Sequence, residues 1–169
     1  MNKVELLAPA GDLERLKFSF LYGADACYIG GLDYSLRANA QNFSLDQIKE
    51  ACLFAHKLNK KVYVTVNIIF HNEDTQNLEE YLKNLEICGV DAIIISDLFV
   101  AKLASEVAPN LKIHISTQTS TLNYEAVNFL KKLNVERVVL GREASREEIK
   151  EIIDKTKIEV ECFIHGAMC

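Results

Sequence analysis

Lys112-Ile113-His114-Ile115-Ser116-Thr117-Gln118 decides how this chain folds. Side chains two apart on a strand share a face. Ile113 and Ile115 therefore point one way, and His114, Ser116 and Gln118 the other. The apolar pair suits a layer of helices. The polar set must face an interior in which polar groups are paired or serve a ligand. The same split recurs elsewhere: Val62, Val64 and Val66 oppose Tyr63, Thr65 and Asn67, and Cys162 and Ile164 oppose Glu161, Phe163 and His165. Several strands turning a polar face to one shared interior is the geometry of a barrel.

Outward from this strand, short apolar runs predict further strands at 4–8, 25–30, 62–67, 91–96, 136–140 and 158–164, with the first one at 112–116. Helical spacing fills the intervals. Leu13, Leu16, Phe20 and Leu21 form one stripe, and Leu45, Ile48, Cys52, Ala55 and His56 a second, opened by a capping box of Ser44 with Gln47. Leu78, Leu82 and Leu85 mark a third. A fourth runs from Leu98 to Val107 and is closed by Pro109. Asn123 caps 124–133, and Ser145 with Glu148 caps 146–155.

The order is βα repeated six times, then a seventh strand. Apolar strands joined by helices imply a parallel sheet with its outer face covered. An open doubly wound sheet and a barrel both fit this order. Polar or glycine residues follow nearly every strand, as at Gly30-Gly31, Asn67, Ser96-Asp97, Ser116-Thr117-Gln118, Gly141-Arg142 and His165-Gly166, and no GxGxxG follows the first strand. The expected fold is α/β, an incomplete TIM-like barrel of about seven parallel strands with helices outside. A closed barrel takes eight strands and about 250 residues, whereas this chain has 169. Residues 1–169 are therefore expected to be a single truncated barrel domain, the N-terminal part of a longer protein or one completed by a partner. Its open edge is a route to a homo-oligomer.

Composition agrees. Apolar residues are 49% and charged residues 25%, which excludes a disordered or coiled-coil chain. No apolar run approaches the roughly 20 residues of a membrane span, and a cytoplasmic protein is expected. The net charge of −5 is no footprint for nucleic acid on this piece. Five cysteines at 27, 52, 88, 162 and 169 make no CxxC and read as free, buried thiols.

The candidate chemistry sits at the strand ends. His114 suits a general base or a hydrogen-bond donor, its structural alternative being an interior histidine satisfied by Ser116 or a backbone carbonyl. His165 lies at the rim. Glu161 is a carboxylate in an apolar strand, where burial raises its pKa unless a cation pairs with it; Arg142 at the adjacent rim is placed to do so, its alternative being a structural pair with Glu143. The insertion 31–43 carries Arg37 among the amides Asn39 and Asn42. It serves either a bidentate anion site or local turns and caps. Asn67, Ser116, Gln118 and Arg142 complete the substrate-binding set. Lys57, Lys60 and Lys61 read as a solvated basic cluster. Cys169, at the mouth, is placed to ligate a metal, with partners supplied from outside this chain.

Glu161-Cys162-Phe163-Ile164-His165-Gly166-Ala167-Met168-Cys169 resembles the opening of the signature of peptidase family U32, the collagenase-like proteins. Glu5-Leu6-Leu7-Ala8-Pro9-Ala10-Gly11, Tyr22-Gly23-Ala24-Asp25-Ala26, residues 36–43, His114-Ile115-Ser116-Thr117-Gln118 and Arg137-Val138-Val139-Leu140 match in order and spacing. The resemblance implies a TIM-like barrel and a full-length protein about twice this length or more. It also implies an RNA-modifying hydroxylase with a 4Fe–4S cluster in the full-length protein. Residues 37–40 and 165–169 are most similar to the branch that forms 5-hydroxyuridine at the tRNA wobble position with prephenate as the hydroxyl source. Cys169 alone matches a cluster-ligand position, so this chain by itself is expected to hold no cluster and to be inactive. Two other readings stand beside this one. His114, Glu161 and His165 suit a metal-dependent peptidase, the activity for which the family was named, although no HExxH and no nucleophile elbow occurs. The open edge suits a non-catalytic assembly subunit.

Overall fold

The computed structural model describes residues 4–36 and 42–165. Seven strands form one sheet: β1 (Leu7–Pro9), β2 (Ala26–Gly30), β3 (Lys61–Val66), β4 (Ala92–Ile95), β5 (Lys112–Ile115), β6 (Val135–Val139) and β7 (Glu159–Glu161). The helices between them are α1 (Leu13–Leu21), α2 (Leu45–Lys57), α3 (Leu78–Ile87), α4 (Leu98–Val107), α5 (Tyr124–Lys131) and α6 (Arg146–Thr156). All strand pairs are parallel and spatial order follows sequence order. An order that never reverses has no switch point, so every crossover helix lies on the same face. The sheet also curls. Arg137 of β6 reaches Glu5, which precedes β1, at 2.7 Å. A bond across 132 residues between one flank of the sheet and the other requires a barrel wall rather than a flat sheet.

Local chemistry sets the helix starts. Asp12, Ser44, Asp97, Asn123 and Ser145 each accept a backbone N–H of the first turn, and Ser44 with Gln47 and Ser145 with Glu148 close full capping boxes. Gly23 and Gly89, at φ of 104° and 84°, end α1 and α3 in a conformation that side chains rarely adopt. Each leads into a Gly-x-Asp-Ala step. Asp25 accepts Leu6 N–H at 3.1 Å and Asp91 accepts Val62 N–H at 2.8 Å, so each aspartate ties the start of one strand to its neighbour.

The alternation read from the sequence is observed in β3 and β5 but not past β7, where the strand has ended at Glu161 and Cys162 and Ile164 are exposed rather than packed under the helices. Cys27, Ile29, Val62, Val64, Val66, Ile93, Ile95, Ile113 and Ile115 belong to the main core under the helices, with Leu16, Ile48, Leu82 and Leu85 opposite. Each such buried side chain contributes about 1.5–3 kcal/mol. A second, smaller cluster of Ala26, Tyr63, Ala92 and Ile94 lies on the inner face, with Leu7 and Tyr28 against it.

Three local departures from expectation have physical causes. β1 runs from Leu7 to Pro9 rather than 4–8. Proline is tolerated there because β1 is an edge strand. β7 is short, having one neighbour only. Beyond β5 the chain does not stay extended: Ser116 caps a 3-10 turn over Thr117–Thr119.

Candidate functional site inside the barrel

The inner face is polar at both ends. At the floor, Glu5 Oε1 accepts from Arg137 Nη1 at 2.7 Å and from the Tyr63 hydroxyl at 2.8 Å, and Glu5 Oε2 accepts from Lys61 Nζ at 3.0 Å. Arg137 Nε and Nη2 both donate to Glu159 Oε2, at 3.0 and 2.7 Å. Burial pushes the Glu5 carboxyl up, but Arg137, Tyr63 and Lys61 outweigh it and hold Glu5 at about 2. A bulge makes this network possible. Between Ile113 and His114 the register slips, so Glu136 is an extra residue on β6 and Arg137 comes opposite His114.

His114 stands above this floor, 2% exposed, its ring edge-on to Tyr63 with centroids 4.7 Å apart. Burial, then the charge of Arg137, holds its pKa at about 3, so the imidazole is neutral. Its Nδ1 is buried with no hydrogen-bond partner among the described residues. Neither Ser116 nor a carbonyl satisfies it; Ser116 Oγ donates to Gln118 Oε1 instead, at 3.1 Å.

At the mouth, Asn67 and Gln118 clasp each other across the end of β4. Asn67 Nδ2 donates to Gln118 Oε1 at 2.8 Å and Gln118 Nε2 donates to the Asn67 carbonyl at 3.1 Å. Leu36 N–H donates to Asn67 Oδ1 at 3.3 Å, so the clasp anchors the stem of the 31–43 insertion. Ser35 and Thr65 hydroxyls meet at 2.7 Å beside it. Asn42 Oδ1 is buried close to Gly30 without a hydrogen-bond partner among the described residues.

Asn67, Ser116 and Gln118 thus come together at the mouth as their strand positions implied, although a turn rather than strand alternation swings Gln118 inward. Glu161 faces the interior, but the guanidinium near it belongs to Arg137, at 3.6 Å. Arg142 lies over the Phe163 ring at 4.7 Å. The reason is register: Arg137 sits one inner position below Val139, which pairs with Glu161, while Arg142 is past the strand end. His165 is exposed beyond β7. Lys60 and Lys61 are not merely solvated, since they pair with Asp25 and Glu5. Arg37, Asn39 and Cys169 lie outside the described residues.

Sequence reasoning missed Glu5 and Arg137 as interior residues. Alternation over 136–140 puts Arg137 on the face of Val139, which was the available signal for one. Nothing local marks Glu5.

The described residues do not fit an iron–sulfur cluster. Burial pushes the Cys27 and Cys52 thiols up to about 11 and about 12, away from the thiolate form that binds iron. No three His, Cys, Asp or Glu side chains among the described residues are grouped to hold a metal ion, so His114, His165 and Glu161 do not form a metal triad.

A sequence model of peptidase family U32 matches residues 11–169. The chain belongs to peptidase family U32. It is 52% identical over 168 residues to tRNA hydroxylation protein P1 of Bacillus subtilis (strain 168), a match covering 99% of this chain and 40% of the relative. It is 37% identical over 168 residues to the 23S rRNA 5-hydroxycytidine synthase of Escherichia coli (strain K12), covering 99% of this chain and 25% of that one. Among solved structures, the U32 peptidase Mk0906 superposes with a TM-score of 0.75 at 12% identity, over 95% of this chain and 68% of that one. This U32 chain therefore spans about 40% of the length of the relative from Bacillus subtilis, and its barrel is shared with a solved U32 structure.

Proposed function

We propose that the full-length protein is an RNA-modifying hydroxylase that forms 5-hydroxyuridine at the tRNA wobble position, using a small anionic hydroxyl source of the prephenate type. The 52% identity to a relative named for tRNA hydroxylation carries this reading, against 37% to the relative named for rRNA. The interior supports it chemically. A neutral imidazole, a carboxyl group and an amide clasp suit an oxygen-rich small molecule. Arg37 is next in sequence to Leu36, whose N–H the clasp holds, and with Asn39 it is our choice to pair with the donor's anionic group. Asn42 and Ser116 complete the wall, with Arg142 at the rim beyond the strand end.

The cluster expected of such an enzyme would use Cys169 with cysteines from the remainder of the protein, which would also supply the basic surface for RNA. No helix among the described residues is long and apolar enough to cross a membrane; a tRNA substrate supports a cytoplasmic reading.

The test is mass spectrometry of nucleosides from a strain lacking the gene. Loss of tRNA 5-hydroxyuridine, restored by the full-length gene and not by its Gln118→Ala variant, is the expected result. Unchanged tRNA with loss of 5-hydroxycytidine from rRNA would transfer the reading to the rRNA substrate.

A further inference from the structure

Two inner-face polar atoms are buried without a hydrogen-bond partner among the described residues, His114 Nδ1 and Glu161 Oε2. They flank Arg137. His114 is in register with Arg137, and Glu161 is in register with Val139, the next inner position.

Counting charges around Glu161 gives an imbalance. Glu5 lies ahead of β1, Lys61 and Tyr63 are on β3, His114 on β5, Arg137 on β6, and Glu159 and Glu161 on β7. Three cations, Lys61, Arg137 and Lys112 of β5, are matched by Glu5, Glu159 and Glu136, each paired at 2.7–3.0 Å. His114 is neutral. Glu161 is a fourth carboxyl with no cation of its own. Its nearest guanidinium nitrogen is Arg137 Nη1, which already donates to Glu5 and stands 3.6 Å away, beyond hydrogen-bond length. The side chain is only 18% exposed. An ionised carboxylate there would have only the Arg137 guanidinium, shared with Glu5 and Glu159 and 3.6 Å away, to offset its desolvation.

We propose that Glu161 stands in the barrel as a neutral carboxylic acid and donates its proton to an oxygen atom of the small molecule bound beside His114. This rests on the hydroxylase reading for the identity of that molecule, the anionic hydroxyl source. The step is a proton transfer. The Glu161 O–H bond breaks, a ligand O–H bond forms, and no electrons change hands. The carboxylate left behind is met by the Arg137 guanidinium, and the proton is restored from solvent when the product leaves. The direction of titration agrees: burial and the charge of Glu5 push the Glu161 carboxyl above the usual range, against Arg137. The neutral state also decides which ligand can enter. With Glu161 protonated, the floor charges cancel and an anion meets no repulsion. With Glu161 ionised, it meets a net negative wall.

The full-length protein tests this with wild type and Glu161→Gln, which keeps a neutral side chain with a donor but cannot give up a proton. Infrared spectra at neutral pH should show a protonated-carboxyl band that the variant lacks. Prephenate, titrated calorimetrically, should bind both proteins within about threefold, while hydroxylation by the variant falls about 100-fold or more, the range of general acid catalysis. Absence of the band overturns the proposal, as does a variant that hydroxylates within threefold of wild type. Should the glutamine variant fail to fold, the pH titration of the wild-type band decides whether Glu161 is protonated. A wild-type protein that hydroxylates no RNA would sink the functional reading alone; the band and the prephenate titration would still judge Glu161.

Discussion

Replacing Arg137 by Gln should cost the fold about 3 kcal/mol, and the structure says where the loss arises. The Arg137 side chain is 9% exposed and bonds two carboxylates while standing near a third. Glu159 is 67% exposed; it returns to water on losing its partner, and its share is under about 1 kcal/mol. Glu5 cannot do the same. Its drop from 4.5 to about 2 corresponds to about 3 kcal/mol, in which Tyr63 and Lys61 also share. Glu161, neutral at pH 7, adds little to the cost. Breaking a buried pair from one side typically costs about 3–5 kcal/mol, and the partial exposure of Glu5 puts this case at the lower end. Equilibrium urea unfolding at pH 7 measures the loss, and a cycle with Glu5→Gln should give a coupling of about 2 kcal/mol. The sign with pH is fixed. Because the folded value of Glu5 is depressed, its contribution is full above its unfolded pKa and disappears as pH falls toward 2. The gap between wild type and Arg137→Gln must therefore shrink in acid. A loss below about 1 kcal/mol at pH 7, or single substitutions that simply add, would refute the floor network as the tie between the first and sixth strands.

Two further substitutions or titrations probe the walls. A Cβ added to Gly31 would overlap Tyr81 Oη, and that hydroxyl is itself buried without a hydrogen-bond partner among the described residues. Gly31→Ala should cost about 2 kcal/mol as an overpacked site, Tyr81→Phe should be neutral or stabilising by up to about 1 kcal/mol, and the double variant should recover most of the loss in thermal unfolding. Additive behaviour would place the clash elsewhere. His114, held at about 3, should show no imidazole titration by NMR between pH 5 and 8. Its depressed value means that the unfolded chain takes up the proton first, so this residue weakens the fold as pH falls from about 6.5 toward 3. An inflection near 6.5 would show that the ring is solvated.

The parts of this architecture that the sequence reveals are those governed by neighbours in the chain. Alternation in 62–67 and 112–116 separates the helix-facing valines and isoleucines from Tyr63, Thr65, His114 and Ser116, because pleating acts on adjacent residues. Ser44 with Gln47 and Ser145 with Glu148 mark helix starts because a cap bonds three residues ahead. What stays hidden depends on distance. Glu5 reads as an interruption in an apolar run, and its partner lies 132 residues away. The expectation that Arg142 would neutralise Glu161 failed because proximity to a strand end was taken as proximity in the barrel.

The bulge at β6 connects these failures to the chemistry. With Glu136 as an extra residue, Val135 stays in register with Ile113 and packs under the helices while Arg137 comes opposite His114 and faces inward. Uninterrupted alternation would put Val135 and Arg137 on the same face. Either the valine would leave the outer core or the guanidinium would leave the barrel. The irregularity lets one short strand serve both layers: an apolar anchor at its start and, two residues on, the cation that restrains Glu5, stacks 5.3 Å over Tyr63 and faces Glu161. Proton transfer at Glu161 thus depends on this bulge. Deleting Glu136 should disturb His114 and Glu161 together, although neither adjoins it in sequence.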